Sequence, residues 1–82
     1  MNIKPGLKVN ETGFLFDPST GESYSLNEMG VVYFNLITEG KTKEEIRSMI
    51  LGDFEVDRIS FEKSFIDFES RLKFLRLIKD EQ

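Results

Sequence analysis

The chain has 82 residues, 39% of them hydrophobic, and a formal net charge of −4, which bounds it to one domain, over residues 1–82, with a modest core. It contains no Cys and no His, which excludes disulfides, thiolate and imidazole chemistry and the usual zinc or haem ligands. The acidic balance disfavours a constitutive nucleic-acid binder, whose affinity rests mainly on Lys and Arg neutralising phosphates. No apolar run reaches the roughly 18 residues of a membrane span, and residues 1–6 lack the apolar segment of a signal peptide. The expectation is a cytoplasmic binding module with no cofactor of its own and no membrane partner.

Residues 1–6 read as an extended lead-in broken by Pro5-Gly6. Leu7 to Asn10 alternates as a first strand, and Asn10-Glu11-Thr12-Gly13 supplies turn chemistry with Gly13 free to take positive φ. Phe14-Leu15-Phe16 is a second strand, whose two Phe are expected to share a buried face with Leu7, Val9, Tyr24 and Leu26. Asp17-Pro18-Ser19-Thr20-Gly21 has the chemistry of a hairpin turn. It leads into a third strand, Ser23 to Leu26, in which Tyr24 and Leu26 alternate with small hydroxyls.

At Asn27 the period changes from two to 3.6. Asn27 is placed to cap a helix and Glu28 suits its positive end. Met29, Val32, Tyr33, Leu36 and Ile37 form one apolar stripe, stopped by Gly40. Thr42 and Glu45 match a capping box that opens a second helix, with Ile46, Met49 and Ile50 inward and Gly52 at its end. Such a pair on a short turn resembles a helix-turn-helix. Phe54 and Val56 bridge to a last helix over 57–74, with a core stripe of Phe61, Phe65, Phe68, Leu72 and Leu75. Leu77 and Ile78 dock after it, before a polar tail over 79–82. Three strands followed by three helices predict an α+β fold: an N-terminal three-stranded antiparallel sheet, then a three-helix, winged-helix-like bundle.

Gly21 to Gly30, followed by Leu36, Glu39-Gly40-Lys41-Thr42 and Glu45-Ile46, resembles the PqqD-like proteins, small peptide chaperones named after pyrroloquinoline quinone (PQQ) biosynthesis. The resemblance covers about residues 7–78, and its most specific part is the Leu-Asn junction followed by a Gly-Lys-Thr turn. It implies a domain that binds the leader of a ribosomally made precursor peptide and presents it to a modifying enzyme, often of the radical SAM type. The leader would add as a strand to the third strand, with its side chains in the groove beside the last helix. Members often end that helix with Gly-Leu, where this chain has Arg76-Leu77.

Glu22, Ser23, Tyr24 and Ser25 are therefore the expected backbone contacts for a peptide, because an edge strand offers unpaired N–H and C=O groups. The alternative is a strand that is paired on both sides or simply solvated. On the last helix Ile59 and Ile66 lie off the core stripe, flanked by Glu62, Glu69 and Lys73, and are expected to floor the groove. The bland alternative is that neighbouring elements cover both flanks of this helix. A winged-helix DNA-binding reading would require a basic helix face, yet Arg58, Lys63, Arg71, Lys73 and Arg76 interleave with Glu62, Asp67 and Glu69. A regulatory module that dimerises through the same edge strand is the third class. Catalysis has no supporting constellation, because Glu44/Glu45 and Asp67/Glu69 read as solvated carboxylates.

Overall fold

The computed structural model describes residues 2–79; residue 1 and residues 80–82 of the expected tail lie outside that range, and Lys79, the first residue expected in the tail, is instead the end of a strand. The order of elements is β1 (Asn2–Ile3), β2 (Lys8–Val9), β3 (Phe14–Asp17), β4 (Glu22–Ser25), α1 (Glu28–Thr38), α2 (Lys43–Asp53), α3 (Arg58–Phe74) and β5 (Ile78–Lys79). Strands β2, β3 and β4 form an antiparallel sheet in that order, and the three helices follow it, as the sequence predicts. The lead-in is more than extended chain. Its β1 pairs antiparallel with β5, Asn2 opposite Lys79 and Ile3 opposite Ile78, so the two ends of the described chain are stitched together.

The core is built by the helices on one inward strand position. Tyr33, Phe34, Leu36 and Ile37 of α1, Ile46 and Ile50 of α2, and Phe61, Phe65, Phe68 and Leu72 of α3 are buried with Leu15, Leu77 and Ile78. The Tyr33 ring stands edge-on to Phe61, Phe65 and Phe68, at centroid distances of 5.9, 5.1 and 5.5 Å. Its hydroxyl is 3.0 Å from the Ser64 hydroxyl, which satisfies a polar tip that burial would otherwise strand. Phe34 was not on the expected stripe but is buried.

Local chemistry sets the helix ends. The Asn27 carboxamide oxygen accepts from the Gly30 N–H at 2.7 Å, and Thr42 and Glu45 exchange both bonds of a capping box. At the end of α1 the Gly40 N–H donates to Ile37 and the Lys41 N–H to Leu36, a paired C-terminal cap with Gly40 at φ 88°. Gly52 does not end α2 as expected. The helix runs one residue further, and Phe54 leaves it in extended conformation at φ −127° and ψ 151°. Met49 is also turned outward, 38% exposed, rather than inward.

The parity of β3 is the main correction. Leu15 and Asp17 point inward, whereas Phe14 and Phe16 are 49% and 43% exposed on the outer face. Asp17 gives the physical reason. One carboxylate oxygen takes the Lys4 ammonium at 2.7 Å, and the other accepts from the N–H and hydroxyl of Ser19. Asp17 therefore turns inward to meet Lys4, and a side-chain period of two sends Phe14 and Phe16 the other way. At the other end of β3, Gly13 sits at φ 90° with its Cα against Leu26; a Cβ there would lie 2.8 Å from the Leu26 carbonyl oxygen. This close approach lets the Leu26 N–H donate to the Gly13 carbonyl and extends the β3–β4 ladder to the start of α1.

Two predictions follow from these anchors. Arg76 holds the left-handed position after α3 at φ 60°, and the Arg76 and Leu77 N–H groups cap Lys73 and Leu72. A glycine adopts that conformation without the Cβ clash, so Arg76→Gly is expected to stabilise the fold by about 1 kcal/mol, or roughly 5 °C in Tm by calorimetry. The Asp17 carboxyl is held down to about 2, first by the bond from Lys4 and then by that from Ser19. Its folded pKa is below the unfolded one, so the stability it contributes is complete above about pH 4 and is lost as pH falls through 2. Urea melts across that window should show a shallower acid slope for Asp17→Asn than for the parent chain.

Candidate functional site

Strand β4 has β3 on one side, and no described strand on the other. Its register places Ser25 opposite Phe14, Tyr24 opposite Leu15, Ser23 opposite Phe16 and Glu22 opposite Asp17. The Leu26 N–H bonds inward to Gly13, and antiparallel ladders alternate bonded and non-bonded pairs. Glu22, Tyr24 and Leu26 therefore turn their main-chain groups toward β3. Ser23 and Ser25 turn their N–H and C=O groups to the open edge.

Side chains alternate with the same period. Ser23 and Ser25 lie on the outer face with Phe14 and Phe16, and Tyr24 lies on the inner face with Leu15. The Tyr24 hydroxyl donates to Glu22 at 3.1 Å, and partial burial, then the Glu22 carboxylate, raise its pKa.

Where β4 ends, a cleft of about 150 Å³ opens between the strand-to-helix junction and α3, lined by Leu26, Asn27, Gly30 and Tyr33 on one wall and Ser64, Asp67, Phe68 and Arg71 on the other. Gly30 keeps the first wall low. A Cβ at that position would stand 3.2 Å from the Asn27 carboxamide oxygen and 3.3 Å from the Leu26 Cβ. The floor is apolar apart from the Tyr33–Ser64 hydroxyl pair, and the exposed Asp67 and Arg71 give the rim charges of both signs.

The structure brings Glu22, Ser23, Tyr24 and Ser25 together on the open strand. It does not bring Ile59, Glu62, Ile66, Glu69 and Lys73 to the cleft. At about 3.6 residues per turn, Glu62, Ile66, Glu69 and Lys73 fall on the flank of α3 opposite Ser64, Asp67 and Arg71. Glu62 is committed to α2, accepting from the Arg47 guanidinium at 2.8 Å with the Lys43 ammonium at 3.4 Å. The Arg47 bond is the main cause that lowers its pKa. Ile59 and Ile66 are 72% and 48% exposed on the outer side of the helix. The residues missed, Ser64, Asp67 and Arg71, carry a weak sequence signal: they flank the buried stripe on its other side.

Among the described residues no group of three or more Asp or Glu is placed to hold a metal ion. No helix among them is long and apolar enough to cross a membrane. The Arg47 and Lys43 cations that a DNA-binding helix would present are drawn onto Glu62, so the winged-helix DNA-binding alternative is not favoured.

The family model described as coenzyme PQQ synthesis protein D (PqqD) matches residues 9–78, which run from Val9 in β2 through β3, β4 and all three helices. The chain belongs to the PqqD family. Membership supports a role in the biosynthesis of PQQ or of related modified peptides, within a family of accessory proteins rather than catalysts. Neither the comparison with curated proteins nor that with solved structures returns a match.

The Tyr33–Ser64 bond joins the two walls of the cleft, so Tyr33→Phe is expected to lower stability by about 1 kcal/mol in chemical denaturation. Unchanged stability would mean that solvent in the cleft replaces the bond without loss.

Proposed function

We propose that this PqqD-family chain binds the leader segment of a ribosomally made precursor peptide as an added strand along β4 and presents it to a modifying enzyme of the radical SAM class. The observation that carries the reading is the open edge of β4, with the main-chain groups of Ser23 and Ser25 turned outward beside the α3 cleft. An extended peptide satisfies such groups through its own backbone, which gives affinity, while pockets for alternate side chains give selectivity. A peptide strand lying on β4 would direct every second side chain, those level with Tyr24 and Leu26, toward the inner face and the cleft. There Phe68 and Leu26 offer apolar contact and Asp67 and Arg71 offer charge.

The chain supplies no reacting group in this scheme. It acts by holding the substrate near the enzyme, which raises the effective concentration of the peptide at the site of modification. Ile59 and Ile66, exposed on the outer side of α3, lie away from the cleft and would stay uncovered by the peptide. Their flank is where an enzyme could approach without displacing the leader.

The test screens synthetic peptides covering the N-terminal segments of all short open reading frames of the source genome, with binding read by fluorescence anisotropy. One of them should bind, and Ser23→Pro or Ser25→Pro should weaken it roughly fivefold or more, the equivalent of about 1 kcal/mol for a lost hydrogen bond. Both variants should keep their circular-dichroism spectrum, because a proline is tolerated where the strand N–H faces outward. Tyr24→Pro, which removes a donor to β3, should instead disrupt the hairpin. Unchanged affinity in folded variants at both serines would count decisively against strand addition.

A further inference from the structure

The outer face of the sheet is not explained by the reading above. Phe14 and Phe16 lie side by side on β3, 49% and 43% exposed. Their cross-strand neighbours on β4 are Ser25 and Ser23, the smallest polar side chains that could stand there. Two aromatic rings thus form a shelf that steps down across two serines to the open edge. Lys8, opposite Phe16, closes the far side toward β2.

We propose that this shelf is the second half of the peptide site and that it selects leaders carrying two large apolar side chains separated by one residue. The inference rests on strand addition at β4 and adds a chemical requirement for the peptide. Its geometry comes from the pleat. In a strand laid against β4, the residues level with Ser23 and Ser25 share their face, whichever way the peptide runs. Adjacent strands are about 4.8 Å apart. A short peptide side chain would stop above the serines, whereas a Leu, Ile, Phe or Tyr would lean across the serine and reach the Phe ring on the next strand. The serines leave that path open; any larger residue at 23 or 25 would itself cover the ring. The peptide is gripped on both faces: alternate residues enter the α3 cleft, and the intervening pair lies on the shelf. The shelf borders the same edge that offers the main-chain groups, which favours this occupant over an unrelated partner.

The experiment is a selection from a random-peptide display library on three immobilised proteins: the parent chain, Phe14→Ser/Phe16→Ser, and Ser23→Pro. Both Phe side chains face solvent, so the double variant should keep the parent fold; Phe14→Leu/Phe16→Leu serves as a conservative control that retains an apolar shelf. The parent and the Leu control should enrich peptides with an apolar-x-apolar core, and the Ser variant should not. A selected peptide should bind the Ser variant roughly tenfold more weakly. If the Ser variant enriches the same peptides while Ser23→Pro loses them, strand addition stands and the shelf is refuted. If Ser23→Pro enriches the same peptides as the parent, or nothing is enriched on the parent, both fall. A parent that sediments as a dimer and a Ser variant that sediments as a monomer would make a second copy of the chain the occupant, and that too overturns the proposal.

Discussion

The Tyr33 ring is the contact on which the rest of the molecule depends. It is the point where α1 meets three aromatic residues of α3, and edge-on aromatic pairs each contribute about 0.5–1.5 kcal/mol beyond the area they bury. Because Phe61, Phe65 and Phe68 lie on successive turns, one ring on α1 fixes both the height and the rotation of α3. The hydroxyl contact with Ser64 makes that fit directional. Removing the ring would free α3 to roll and would change which side chains face the strand.

From Tyr33 the constraint passes back along α1 to its first turn, where Asn27 caps Gly30 and Leu26 bonds to Gly13. These short local bonds tie the helix to the last residue of the sheet ladder. The open edge of β4 and the wall of α3 are therefore not two loosely related surfaces. They are held at a fixed spacing by a cap, a ladder bond and an aromatic cluster, all within the packed part of the molecule. Lys4 and Asp17 secure the other end of the sheet in the same way, so the hairpin is pinned at both ends while its outer edge stays open. For the proposed strand addition, an edge held rigid in this way leaves less ordering to consume binding energy.

Much of this was legible in the residues because local chemistry governs it. Asn27, Thr42 with Glu45, and Gly40 announce helix ends by hydrogen bonds that span only a few residues, and the Phe61–Leu72 stripe is a simple consequence of helical period. The parity of β3 was not legible. Phe-Leu-Phe offers two large rings against one Leu, and only the Lys4 partner of Asp17, 13 positions away, decides which set turns inward. Nor does a helical period say what covers each flank of a stripe. Ile59 and Ile66 look like a groove floor in the sequence, whereas the cleft at the end of β4 is lined by Ser64 and Arg71, and α2 claims Glu62 on the opposite side. The pairing of β1 with β5 joins positions at opposite ends of the chain and leaves no local trace in either.

That last pairing has a consequence for how the domain can be attached to other proteins. Ile3 and Ile78 face each other across a two-stranded ladder, and the neighbouring surface includes Ile37 and Thr38 at the far end of α1 from the cleft. The first and last strands of the described chain thus lie side by side. An enzyme fused to either end would hang from the same anchor point, and exchanging the order of the two in a fusion would alter their geometry little. The domain is in effect a closed loop with a handle, and that handle, the β1–β5 ladder, is a sheet separate from the one that ends in the open edge of β4.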